Sequence, residues 1–134
     1  MYFLTILTVL AALVPNTHMA SISGDRVAEM QPRLPQKELA EKIREFFPDE
    51  PRMVDVARCE STMRQFDKNG DVVRSGTDDV GVFQINEYFH RETAARMGMD
   101  IYTTDGNISY ARYLYDKNGL HDWSASKPCW GASS

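Results

Sequence analysis

DVARCEST, residues 55–62, carries an apolar helical stripe up to a cysteine and a glutamate set side by side. Met53, Val56, Ala57 and Glu60 stand at i, i+3, i+4 and i+7, one face of a helix expected from about Pro51 to Ser61. The glutamate takes the last slot of a face that is otherwise apolar. Desolvation there disfavours the carboxylate and raises its pKa. A carboxyl that stays protonated near neutral pH can donate a proton. The competing reading is an exposed glutamate at a helix C-terminus, where the macrodipole repels negative charge.

Upstream, Leu39, Ile43, Phe46 and Phe47 form a second stripe, which predicts a helix from about Pro35 to Phe47. Pro35 suits its first turn and Pro48 stops it. Downstream, RQF, DKNGD and VVRS (64–75) read as a hairpin turning at Asn69-Gly70. Asp67, Asn69 and Asp71 also match the start of a calcium loop. That pattern fails at Val72, where glycine is required, and at Asp78 in place of glutamate. In SGTDDVGVFQIN (75–86) an apolar VGVF lies between Asp79 and the pair Gln84 and Asn86. Glycine at 81 predicts that another group, a ligand included, approaches the backbone closely. Two more helices are expected. One runs from Glu87 to Met97 and is closed by Gly98; the other runs from Thr104, as N-cap, to Lys117, with Gly119 beyond it. On the latter Asn107, Tyr110 and Leu114 share a face, beside Ile108, Ala111 and Tyr115. The tail, LHDWSASKPCWG (120–131), holds both tryptophans and Cys129. The class is α+β: mostly helices with one small hairpin after the second.

The chain has 134 residues, enough for one domain, with 43% apolar and 25% charged residues, as in globular proteins. A net charge of −4 argues against a nucleic-acid partner. His18, His90 and His121 show no metal-ligand spacing, so no metal or cofactor is expected. His90 and His121 are read as surface residues, and the chain as a monomer. Residues 2–14, YFLTILTVLAALV, carry no charge and end at Pro15. The run is short of the roughly 20 residues of a membrane span and fits the apolar core of a secretion signal. No Lys or Arg precedes it, and THMA (17–20) is a poor cleavage site, so an uncleaved membrane tether is the alternative. Residues 21–33 read as a linker and 34–134 as the folded domain. In an exported chain the two cysteines most simply pair, Cys59 with Cys129, closing a loop worth about 4 kcal/mol in the chain-entropy model. Two unrelated buried thiols are the other possibility.

C-E-S at a helix end, a short hairpin, G-V-F-Q-I-N and then N-I-S-Y-A-R-Y-L together resemble the lysozyme superfamily, and more narrowly the SLT-type lytic transglycosylase domain. The matching residues are Glu60-Ser61, Gly81 to Gln84, and Asn107 to Leu114, within about residues 50–130. The family's later A-Y-N motif is replaced here by HDWSASKPCWG. That ending is similar to resuscitation-promoting factors, in which the cysteine before the catalytic glutamate pairs with one near a C-terminal tryptophan. T-D-D-V-G-V-F-Q-I-N is also similar to the segment of c-type lysozymes that carries their second catalytic carboxylate, a position matched by Asp79.

The resemblance implies a lysozyme-like fold and a secreted or cell-envelope enzyme acting on the β-1,4 bonds of peptidoglycan glycan strands. Glu60 would be the general acid. In a transglycosylase the sugar's acetamido group meets the developing positive charge and its C6 hydroxyl attacks C1, leaving a 1,6-anhydro end. In a hydrolase Asp79 would be nucleophile or stabiliser, and water would complete the reaction. Gln84 would bind the acetamido group or sugar hydroxyls, Ser61 and Asn107 would position Glu60 or the sugar, and Tyr110 would line the cleft. Trp123 and Trp130 would stack on sugars or fill the core. A wall-binding module without catalysis is the alternative of a different class.

Overall fold

Prolines and side-chain caps set the helix limits. The structure is a computed structural model that describes residues 33–132. The signal or tether read at 1–20 and residues 21–32 of the linker lie outside the described residues. Helix α1 (Gln36–Phe46) follows Pro35 and buries Leu39 and Ile43. Helix α2 (Met53–Ser61) buries Met53, Val56 and Ala57, the predicted stripe, and ends where Thr62 turns left-handed at φ 53°. Helix α3 (Glu87–Arg96) is capped by the Asn86 side chain, which accepts from the Phe89 amide. Helix α4 (Thr104–Asn118) is capped by Thr103, whose Oγ1 accepts from the Gly106 amide at 3.0 Å. The cap thus falls one residue before Thr104, which is itself buried.

The regular strand pair is not where the Asn69-Gly70 turn placed it. Strands β1 (Asp79–Val80) and β2 (Ile85–Asn86) pair antiparallel, with Asp79 opposite Asn86. The expected hairpin survives as the single bridge Phe66–Val72. Its turn is intact: Asp67 Oδ1 accepts from the amides of Asn69 (2.8 Å) and Asp71 (3.0 Å), the carboxylate use that the calcium pattern had suggested for a metal. Its second arm is shared. Val73 donates to the Gln65 carbonyl and accepts from the Gly81 amide, and Arg74 bridges Val80, so neither side builds a continuous ladder.

The tail, which has no readable period, folds into a 3-10 helix (His121–Ser126) and a short helix α5 (Lys127–Trp130). Helix α5 packs on α2, and Cys59 and Cys129 are joined as a disulfide with Cα atoms 6.1 Å apart. Trp123 and Trp130 are both buried, and Trp130 Nε1 donates to the Trp123 carbonyl at 3.0 Å. A chain of rings runs through the core, Tyr115 to Phe47 to Phe83 to Trp123, with centroids 5.7–5.8 Å apart. Of these, Phe47 and Phe83 are fully buried, and each contributes about 1.5–3 kcal/mol of transfer free energy. The architecture is α+β, mostly helical, with a two-stranded antiparallel sheet. No helix among the described residues is long and apolar enough to cross a membrane.

Candidate active site

Residues 80–83, the V-G-V-F of the sequence, run buried between β1 and β2 and need partners for their peptide groups. Side chains supply most of them. Asn107 Oδ1 accepts from the Phe83 amide (3.0 Å), and Asn107 Nδ2 donates to the carbonyls of Val80 and Ile101 (both 2.9 Å). Gln65 Oε1 accepts from the Val82 amide (2.9 Å). Ser61 Oγ donates to the Val82 carbonyl (2.9 Å), and Trp123 Nε1 to the Phe83 carbonyl (3.0 Å). Gly81, at φ 74°, is the point of closest approach: a Cβ there would collide with the amides of Asn107 and Gln65. The group that glycine admits is therefore protein, not ligand.

This clamp fixes both ends of the segment. At one end stands Asp79, whose Oδ2 accepts from Ser75 Oγ (2.8 Å) and Thr77 Oγ1 (2.6 Å) and whose Oδ1 accepts from Asn86 Nδ2 (2.9 Å). Burial by itself would raise its pKa; the Thr77, Ser75 and Asn86 donors outweigh burial and hold the carboxyl below its usual range. At the other end Gln84, at φ 49°, folds its side chain back so that Nε2 donates to the Gly81 carbonyl at 2.8 Å.

Glu60 is treated in the opposite way. It is half-buried near the end of α2 and accepts one hydrogen bond, from Ser126 Oγ to Oε1 at 2.6 Å. Burial pushes its pKa up, the Ser126 donor pulls it down, and the negative charge of Asp79 pushes it up again; the net direction is upward. The non-glycine residues with left-handed backbone among those described are Thr62, Met63, Asp78 and Gln84. Two follow the Glu60-Ser61 pair, one precedes Asp79 and one is Gln84. Such conformations cost of order 1–3 kcal/mol each and persist where the surroundings force them, which is characteristic of functional sites.

Asp79, Gln84, Asn86, His90, Asp122 and Trp123 lie on the wall of a cleft of about 170 Å³. Glu60 is not on that wall. It is linked to it through Ser126, whose hydroxyl is also 3.1 Å from the carbonyl of Trp123. Of the residues expected to touch a sugar, Gln84, Asp79 and the largely buried Trp123 line the cleft, and Trp130 does not. Ser61 and Asn107 are buried and occupied with the 80–83 backbone, so they position the site from behind. Tyr110 is 1% exposed and lies behind His90, with its hydroxyl 3.0 Å from Nδ1. His90, expected at the surface, is instead half-buried on the cleft wall, because α3 turns it onto Tyr110; His121 is exposed. Burial lowers the His90 pKa, Asp122 raises it and Lys117 lowers it, with a net fall.

Sequence reasoning missed Gln65, Ser126 and the donors Ser75 and Thr77. A polar residue carries no periodic signal of its partner. Ser75 and Thr77, four and two positions before Asp79, were the one local hint, since hydroxyls at that spacing can turn back onto a carboxylate.

Comparison with known proteins finds no matching family model, no matching curated protein and no matching solved structure.

Proposed function

We propose that this chain has a lysozyme-like fold and is a lytic transglycosylase of peptidoglycan, in which Glu60 is the sole general acid and base. The observation that carries the reading is the contrast between a half-buried carboxyl, Glu60, that accepts one hydrogen bond and a second carboxyl, Asp79, that accepts three; burial favours the protonated form of the first, and the donors favour the ionised form of the second. Environments that push two acids apart in this way assign one as proton donor and the other as fixed negative charge. Glu60 protonates the glycosidic oxygen as the C1–O bond breaks, and the leaving sugar departs as an alcohol. The acetamido group of the cleaved sugar meets the positive charge at C1. Glu60, now a carboxylate, takes the proton of the C6 hydroxyl as that oxygen bonds to C1, and the product is a 1,6-anhydro end.

Both oxygens of Asp79 already accept hydrogen bonds, which makes it a weak nucleophile and a good electrostatic stabiliser. That supports a route with one working carboxyl. The same ionised Asp79, close enough for its charge to act on Glu60, favours hydrolysis as the second reading. Mass spectrometry of fragments released from purified sacculi separates the two. Anhydro ends, one water lighter than reducing ends, are expected. Reducing ends would replace transglycosylation by hydrolysis, and binding to sacculi without any cleavage would leave a wall-binding module.

A further inference from the structure

The tail delivers one hydroxyl to the candidate acid. Ser126 ends the 3-10 helix, and three residues later Cys129 is bonded to Cys59, the residue next to Glu60. The disulfide thus ties the segment holding Ser126 to the helix turn holding Glu60. Ser126 Oγ is 2.6 Å from Glu60 Oε1 and 3.1 Å from the Trp123 carbonyl, while the Trp123 indole is itself fixed on the Phe83 carbonyl at 3.0 Å. A serine has one hydrogen to give and lone pairs to receive with. Two acceptors within its reach therefore define two settings of the same hydroxyl.

We infer that Ser126 is a positioning residue for Glu60: its hydroxyl donates to Oε1, so that the acid carries its own hydrogen on Oε2. The inference rests on the glycosidase reading for its catalytic meaning. Among the described residues Oε2 has no hydrogen-bond partner, so it is the oxygen left for a substrate. With Glu60 protonated, donation from Ser126 into Oε1 confines the acidic hydrogen to Oε2. After that hydrogen has gone to the leaving oxygen, the same donor stabilises the carboxylate that must then act as base. If Oε1 were to take the proton instead, Ser126 could turn its hydrogen to the Trp123 carbonyl and accept, which would hold the acid in an unproductive orientation. The donor strength of Ser126 therefore sets which oxygen works.

The electrostatic surroundings are simple enough to test this. Asp79 on β1 is the charged group whose field acts on Glu60. Arg58 on α2, Asp122 on the 3-10 helix and Lys127 on α5 are exposed, and water and salt screen them.

The test compares Ser126→Ala and Ser126→Thr with the parent chain, all oxidised, with the disulfide verified by the absence of free thiols. Glycan cleavage is followed against pH, and the Glu60 carboxyl is titrated directly by carbon NMR. Ser126→Ala is expected to lower kcat about tenfold, the factor that one hydrogen bond to a charged group is worth, and to move the alkaline limb of the profile to higher pH. Ser126→Thr, which keeps the hydroxyl, should restore both. An alanine variant whose alkaline limb and Glu60 titration coincide with the parent's overturns the inference, as does a folded threonine variant no better than alanine. If the parent cuts no glycan, the glycosidase reading fails by itself. The carbon titration still decides the Ser126 contact, because loss of the donor must raise the Glu60 midpoint.

Discussion

Glu60 and Asp79 are both partly buried acids, yet their pKa values are pushed in opposite directions, and the number of donors is what separates them. Asp79 receives three hydrogen bonds from Ser75, Thr77 and Asn86, while Glu60 receives one from Ser126. Burial disfavours charge on both. One donor is not enough to offset it; three are. The contrast also shows in where each acid is mounted. Asp79 is continuous with the clamped 80–83 backbone. Glu60 sits on a helix and meets that backbone only through its neighbour Ser61 and through Ser126 and Trp123.

The largest expected effect comes from removing the acid. Glu60→Gln should reduce glycan cleavage by about a thousandfold, within the range of a general acid's contribution; turnover within tenfold of the parent would end the assignment. The same variant reports on stability with a definite sign. A carboxyl whose folded pKa is raised binds more protons in the folded state, so its contribution to stability falls as pH rises from its unfolded value of about 4.5 through the folded one. Glu60→Gln should therefore melt higher than the parent at pH 7, with the difference shrinking below pH 4.5. Asp79 has the reverse slope. Its contribution is complete above about 3.8 and is lost as pH falls through its lowered folded value.

A smaller but still large effect should follow from Asn107→Ala, which strips partners from the Phe83 amide and the Val80 carbonyl. Denaturant unfolding should register a loss of about 3 kcal/mol, as for buried groups left unpaired. A cost under 1 kcal/mol would mean that water or a relaxed backbone replaces the clamp. Asp79→Asn removes the charge that pushes Glu60 upward, so the alkaline limb of the pH profile should move to lower pH. Under transglycosylation the optimum rate should fall by less than about tenfold, whereas the loss of a working nucleophile would cost far more. Least of all, Thr77→Ala leaves Asp79 two donors. It should cost about 0.5–1 kcal/mol and raise the Asp79 midpoint without bringing it level with Glu60; equal midpoints would break the contrast.

The four long helices were legible because apolar stripes and proline or glycine stops mark them. Met53, Val56 and Ala57 are buried where the spacing put them, and Glu60 is half-buried at the end of the same face. The strand pair was not legible. The Asn69-Gly70 turn is the strongest local signal in the chain, but Val73 and Arg74 are divided between two neighbours, a tertiary choice that no turn motif encodes. The tail was unreadable for another reason: its helices are held by Trp123, Trp130 and a disulfide rather than by an amphipathic repeat. Asn107 shows the limit most clearly. Its place on an inward face was visible, but whether its amide met a sugar or a peptide group depended on the course of a loop that precedes it by more than twenty residues.

The clamp on residues 80–83 also has a kinetic consequence. Its donors and acceptors come from Ser61, Gln65, Asn107 and Trp123, widely separated in the chain, so the loop cannot be satisfied until all of those segments have met. Closing such distant contacts is entropically slow. The donors to Asp79, by contrast, all lie within seven residues of it, so that carboxylate is supplied locally, whereas the contact of Glu60 with Ser126 spans 66 residues and requires the tail to be in place.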